Sequence, residues 1–402
     1  MLLALLVAPA FAQTTLADLE RMALSGNPTL AQAEAGVRAA AGRARQAGLY
    51  PNPVLGATGD HNTPALDGGS LGGFAEQRIV TGGKLGLARK AGEQDRFVAE
   101  EMQKAARLRL LIQVRILFYR GLGEQRLLDV RQQMAALAAR TALTLAELNN
   151  VGQADRPDLL AAEVDARRAD LAVTMALNAL ERTRRELAAL VNQPELPSAM
   201  LLGDLEAVPK LDFEAALSRV LNESPELTAA RGEADRDALL VKRARAERIP
   251  DLRIRGGVRY NREPWEHSSQ VSPVVGNEGF FDAGVEIPIF NRNQGAIAAA
   301  QAEADRARLA IEHQRLQLRQ RFAIAYREYS DASTGAERYR MDLIPKAREA
   351  FDLYTGNFRQ MAVAYPRVLA AQRSLIQLED EYVAQLISAW RAAVEIDGLL
   401  LE

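Results

Sequence analysis

Few residues of this chain are suited to binding a metal or forming a covalent bond. It has no cysteine, and its three histidines, His61, His267 and His313, are far apart in sequence. Without thiolates or a His/carboxylate cluster at ligand spacing, no tight metal site is expected. Gly82-Gly83-Lys84 lacks the rest of a GxxxxGK[ST] loop, so no phosphate cradle is expected either. No nucleophile–base pair stands out. The reading is of a protein that is not an enzyme and carries no cofactor. What the chain offers is charge in alternation. Arg253, Arg255 and Arg259 fall at even spacing, as do Asp282 and Glu286. On neighbouring strands such residues share a face and pair across it. The expected chemistry is therefore electrostatic, a polar wall of cross-strand ion pairs.

Those charges need strands to hold them. In residues 252–261, Leu252, Ile254, Val258 and Tyr260 oppose the three arginines and Asn261. In residues 279–290, Phe281, Ala283, Val285, Ile287 and Ile289 oppose Asp282, Gly284 and Glu286. A period of two gives strands with one apolar and one polar face. Pairing should fade at Pro288, which has no N–H. A soluble sandwich would need a second sheet over the apolar face, and the strands for it are missing. About ten residues of apolar-out, polar-in alternation is the pattern of a transmembrane barrel strand. A weaker pair is expected at 54–60 and 74–81, where Glu76 and Arg78 share a face.

The remainder reads as helix. The chain has 402 residues and a net charge of −2, which argues against a nucleic-acid binder, since that needs a basic face. Helices are expected at 16–25, 28–48, 85–148, 157–191, 213–221, 225–248, 295–354 and 366–396. In the third, Leu110, Val114, Leu117, Leu127, Val130, Met134 and Leu137 fall at three-four spacing. A helix of that span is about 95 Å long, and must lie along partners of equal length. Residues 1–12 read as a signal peptide with a truncated start: an apolar core, then Ala10-Phe11-Ala12 as a small-x-small cleavage site. No run of about 18 apolar residues is present to cross a membrane as a helix. An exported chain of this kind spans a membrane only as a closed barrel.

The pattern occurs twice. Asn27-Pro28-Thr29-Leu30 is echoed by Ser224-Pro225-Glu226-Leu227, and Pro51 by Pro250. RPDLLAA from Arg156 aligns with YPRVLAA from Tyr365 at an offset of 209 residues. The expected organisation is a first repeat at 13–200, a linker at 201–210 and a second repeat at 211–402. Each repeat is helix–strand–strand–long helix–turn–helix. Four strands per chain fall short of the roughly eight of the smallest single-chain barrels, so several copies must close one. Three copies give a twelve-stranded barrel; two would give only eight strands.

With NPTL at Asn27, TGGK at Thr81, NVGQADRPDLLAAE at Asn150, SPEL at Ser224 and VEIPIFNRNQG at Val285, the layout resembles the TolC family of outer-membrane efflux ducts. With the preceding GGVRYNRE stretch, it is most similar to the CzcC-like branch, associated with heavy-metal cation efflux. The resemblance implies a homotrimer in outer-membrane lipid. It would be a mostly α protein whose twelve-stranded barrel sits above a long α-helical, coiled-coil barrel in the periplasm. It also implies a periplasmic adaptor and an inner-membrane pump of the resistance-nodulation-division (RND) type as partners. The alternatives are a duct for drugs or for type I protein secretion and, from another class, a soluble periplasmic coiled-coil scaffold or adaptor.

Specific residues follow from the resemblance. Val151-Gly152-Gln153 matches the family's hairpin tip that meets the adaptor. The second tip, with Gln360 and Met361, lacks the glycine expected there. Asp158 falls where members often carry a gating acid, and Arg367 is its counterpart in the second repeat. Opposite charges at matched positions give the expectation that Asp158 and Arg367 pair across neighbouring hairpins and hold the tip closed. Arg253, Arg255, Arg259, Asp282 and Glu286 would face the pore. An arginine-lined mouth does not argue for cation selectivity.

Overall fold

A computed structural model describes residues 14–60, 69–194, 200–264, 274–360 and 362–401. The expected signal peptide, His61 and His267 lie outside the described residues. In chain order the elements begin with β1 (Thr14–Thr15), α1 (Leu16–Gly26), α2 (Pro28–Ala47), β2 (Val54–Asp60) and β3 (Ser70–Ile79). There follow α3 (Lys84–Asn150), α4 (Arg156–Leu190), β4 (Leu201–Leu202), α5 (Phe213–Glu223), α6 (Pro225–Ala246), β5 (Leu252–Pro264) and β6 (Val274–Val285). The last are α7 (Gln294–Arg338), a π-helical segment (Tyr339–Leu343), α8 (Ile344–Arg359) and α9 (Tyr365–Asp397). The chain divides into two units.

One unit comprises Met1–Gln32, Gln103–Ser224 and Arg315–Glu402, and is helical. Its core joins Leu19 of α1, Val114 and Phe118 of α3, Leu187 of α4 and Leu375, Tyr382 and Leu386 of α9. α9 shows how sequence makes that core. Val368, Gln372, Leu375, Glu379, Tyr382, Leu386, Ala389 and Ala393 are all buried, and their spacing alternates between four and three. That is the heptad seam of a coiled coil. Two of its members are polar, and Glu379 Oε1 accepts a 2.9 Å bond from Arg348 Nη2 on α8. Thr15 starts α1 with a reciprocal capping box to Asp18.

The linker expected at 201–210 is strapped down. Leu201–Leu202 pairs in parallel with Thr14–Thr15. The indole N–H of Trp390 donates to the Leu205 carbonyl at 2.7 Å, and Tyr329 Oη donates to that of Pro209 at 2.7 Å. Glu206 accepts from Arg126 Nη1 at 2.9 Å.

The helix expected as one piece over 295–354 is interrupted at Tyr339–Leu343 and then continues to Arg359. The cause is Pro345. It has no N–H for the Met341 carbonyl, and its ring would press on that carbonyl in a regular α-helix. The chain widens by one residue instead, and the Ile344 N–H donates to the Tyr339 carbonyl, five residues back. α3 has no internal proline and runs 67 residues unbroken.

The other unit comprises Ala33–Met102 and Pro225–Gln314, and contains a four-stranded antiparallel sheet of order β2-β3-β5-β6. Three strands differ from their expected bounds. The one expected at 74–81 is Ser70–Ile79, the one expected at 252–261 is Leu252–Pro264, and the one expected at 279–290 is Val274–Val285. β6 stops early because Leu252, the first residue of β5, pairs with Val285, leaving nothing for residues 286–290 to pair with on that side. Pro288 could not have donated in any case.

Candidate functional site

Register makes the sheet two-faced. Leu55, Ala75, Gly256 and Phe281 stand in one row across the four strands, and Val54, Glu76, Arg255 and Asp282 in the next. The first face is apolar and bare: Leu55 is 78% exposed, Leu71 70%, Val258 69% and Phe281 69%. Among the described residues, no element of this unit covers it. The second face is polar and carries an ion-pair network. Arg259 Nε donates to Glu278 Oε2 at 2.9 Å, and its Nη1 lies 3.6 Å from Asp60 Oδ2. Gly56, Phe74, Gly257 and Phe280 form one row of this face. A Cβ on Gly257 would strike the Phe280 ring and the Gly73 carbonyl, so the aromatics close over glycine. Arg255 lies over the Phe74 ring, its guanidinium carbon 3.9 Å from the centroid.

Arg253, Arg255 and Arg259 thus share one face, but their expected partners change. The acids that pair with Arg259 are Glu278 and Asp60, not Asp282 or Glu286. Asp282 stands directly opposite Arg255, which is drawn to Phe74 instead. Glu286 lies beyond the end of β6, and among the described residues neither acid makes an ion pair.

The strands hand over to helices at a buried charge cluster. Asp251, just before β5, accepts from Lys84 Nζ at 2.8 Å, from Arg78 Nη2 at 2.6 Å and from the Thr81 N–H at 3.0 Å. Burial alone would raise its carboxyl; the Lys84, Thr81 and Arg78 bonds more than offset that and lower it to about 2. Gly82 and Gly83 turn the chain into α3 with φ of +66° and +69°.

The first hairpin tip, in the helical unit, is a Schellman turn. Gln153 N–H donates to the Leu148 carbonyl at 2.8 Å and Gly152 N–H to that of Asn149 at 3.1 Å, with Gly152 at φ +74°. Val151 is 69% exposed. At the second tip Gln360 is exposed and Ala362 N–H closes on the Asn357 carbonyl at 2.9 Å; Met361 lies outside the described residues.

A family model described as outer membrane efflux protein matches residues 19–193 and 216–400. The chain belongs to the outer membrane efflux protein family. It is 29% identical over 322 residues, 80% of this chain and 75% of the relative, to the cobalt-zinc-cadmium resistance protein CzcC of Cupriavidus metallidurans. Among solved structures it is similar to the outer membrane protein VceC of Vibrio cholerae, with TM-score 0.77 and 18% identity over 96% of this chain and 95% of that one. CusC, a transmembrane channel, matches with TM-score 0.80 and 17% identity over 97% and 92%. This outer membrane efflux protein is therefore a transport channel of the outer membrane, and its family is not one of enzymes.

In this efflux protein Asp158 sits in the first turn of α4 and Arg367 in the first turn of α9. Among the described residues no ion pair joins the two within one chain. Arg367 is exposed, and its N–H closes the helix start on the Ala364 carbonyl. Two pairs link the hairpins at 2.9 Å: Arg131 of α3 with Asp380 of α9, and, nearer the tips, Asp165 Oδ1 with Arg373 Nη2, the Asp165 side chain only 11% exposed. Tyr365, 2% exposed, lies beside it. Burial, reinforced by the negative charges of Asp165 and Asp158 against the opposing Arg373, pushes its phenol up to about 12. The missed pair carried a signal: Asp165 is seven residues after Asp158, on the same helical face two turns on.

Proposed function

We propose that three copies of this chain form the exit duct of a tripartite RND-type efflux system that expels heavy-metal cations. The observation that carries the duct is the sheet: four strands, two open edges, one bare apolar face and one ion-paired polar face. An open edge in lipid leaves backbone groups unsatisfied, and four strands cannot close alone, so symmetry must close them. Three copies of the four-stranded sheet give twelve strands, with the Arg253, Arg255 and Arg259 face lining an aqueous interior. The long helices continue into the periplasm. Their tips, Val151, Gly152 and Gln153 on one hairpin and Gln360 and Met361 on the other, meet a periplasmic adaptor, behind which stands the inner-membrane pump. The relative named for cobalt, zinc and cadmium resistance supports a metal cargo.

At the tips, Asp158 and Arg367 pair between neighbouring subunits, and Asp165–Arg373 holds the two hairpins of one subunit together. An exposed pair contributes only ~0–1 kcal/mol, but three around an axis add. Currents through Asp158→Ala and Arg367→Ala in planar bilayers should be larger than wild type; unchanged currents in both remove the gate.

The cargo test is a deletion strain challenged with zinc, cobalt, cadmium and drugs. Lost metal tolerance, restored by the chain, is the expected result. Intact metal tolerance with lost drug tolerance would transfer the cargo to drugs, and release of the protein by osmotic shock would end the duct reading.

A further inference from the structure

The two open edges of the sheet end in exposed apolar side chains at the same end. β2 is antiparallel to β3, β3 to β5 and β5 to β6, so β2 and β6 run antiparallel to each other. The chain therefore enters β2 at the end where it leaves β6. Just before β2 stand Leu49, 53% exposed, and Tyr50, 64% exposed. Just after β6 stand Ile287, Ile289 and Phe290, the last 92% exposed. Beside this second group lies an open cleft of about 830 Å³, lined by Ile249, Pro250, Gly284, Glu286 and Phe290 among others.

The inner strands end differently at this level. Arg78, Thr81, Lys84 and Asp251 close the end of the β3–β5 pair with bonds from within the chain. The apolar groups at the inner-strand ends are less exposed, Ile79 at 36% and Ile249 at 48%, than any of those beside the two strands whose outer edges lack a partner. A lipid girdle would expose every strand end alike, whereas a subunit contact leaves the barest groups at the edges. Proline also marks both segments, Pro51 and Pro53 before β2 and Pro288 after β6. A ladder between two such edges must stop there, leaving side-chain packing to continue the contact.

We propose that residues 49–53 of one copy pack against residues 287–290 of the next, with Tyr50 and Leu49 covering Ile287, Ile289 and Phe290 at the cleft. This seam rests on the ring-of-copies reading above and specifies how adjacent subunits lock at the helix end of the barrel. Its occupant is a second copy of this chain.

The absence of cysteine makes the test clean. Tyr50→Cys is combined in one chain with Ile287→Cys, Ile289→Cys or Phe290→Cys, expressed in outer membranes and oxidised. A disulfide needs Cβ atoms about 4 Å apart, so only true neighbours link. The expected result is a covalent trimer on non-reducing gels for at least one pair, lost on reduction and absent from each single substitution. Native-gel mass and single-channel conductance are measured on the same unoxidised samples. A conducting trimer in which no pair cross-links overturns the seam while leaving the duct standing. Phe290→Trp quenched by brominated acyl chains would then identify lipid as the occupant. A non-conducting monomer would overturn both.

Discussion

The two places where a strand hands over to a long helix solve one problem by opposite means. After β3, the turn is made by Gly82 and Gly83 and fastened by Lys84 and Arg78 on the buried carboxylate of Asp251. After β6, Asn293 makes the left-handed residue, with φ +58°. Its Nδ2 donates to the Ala244 carbonyl at 2.8 Å and its N–H to Asn291 Oδ1 at 3.0 Å. Asparagine tolerates that backbone because its short amide satisfies local groups. The first handover is closed by charges drawn from the chain itself. The second is held by neutral polar bonds and leaves Ile287, Ile289 and Phe290 bare. Where the chain supplies its own partner, the end of the strand is sealed; where it does not, a surface is left for another molecule.

The comparison can be broken by substitution. Asp251→Ala should have the largest effect, because it leaves the buried Lys84 ammonium without its nearest carboxylate. Stranding one partner of a buried pair costs about 3 kcal/mol, read as the fall in the denaturant midpoint of purified protein. Acid should act at the same place. A carboxyl lowered from 3.8 to about 2 stabilises the fold fully above its unfolded value. That contribution disappears as pH falls from 3.8 towards 2, and Asp251→Asn should flatten the loss. Asn293→Ala, which forces a Cβ without a side-chain amide into the left-handed region, should cost about 1–2 kcal/mol. A larger cost there than at Asp251 would reverse the contrast.

The hairpin tips sharpen it further. Gly152→Ala meets no atom within 4 Å, so its cost is that of the backbone alone, about 1 kcal/mol by thermal unfolding. Gly356→Ala also meets open space but lies inside α8, where replacing glycine should stabilise by roughly 0.5–1 kcal/mol. Opposite signs from the same substitution would show that the glycine at the first tip is there for its φ and the one near the second tip is not.

Alternation in sequence was enough to gather Arg253, Arg255 and Arg259 on one face, because side-chain direction in a strand depends only on parity. It could not choose their partners. That Arg259 meets Glu278 and Asp60 depends on register with two other strands, one of which is not its sequence neighbour. Likewise Asp251 looks like an ordinary turn acid until β5 lies beside β3 and brings in residues from about 170 positions away. The lengths of the helices were legible from apolar spacing. The break at Tyr339–Leu343 was legible in principle from Pro345, but a proline inside a helical pattern does not say whether the chain will kink, stop or widen.

That widened turn has a consequence for how the protein tolerates change. A π-helical turn holds one more residue than an α-helical one, so it absorbs that residue without the rotation of about 100° that it would otherwise impose on everything beyond it. Deleting one residue within Tyr339–Leu343 would let the turn tighten and leave the downstream seam in phase. A single deletion anywhere along α3 would turn every later apolar side chain away from its neighbours. Of the two long arms, only the second has a place where evolution can lengthen or shorten it one residue at a time.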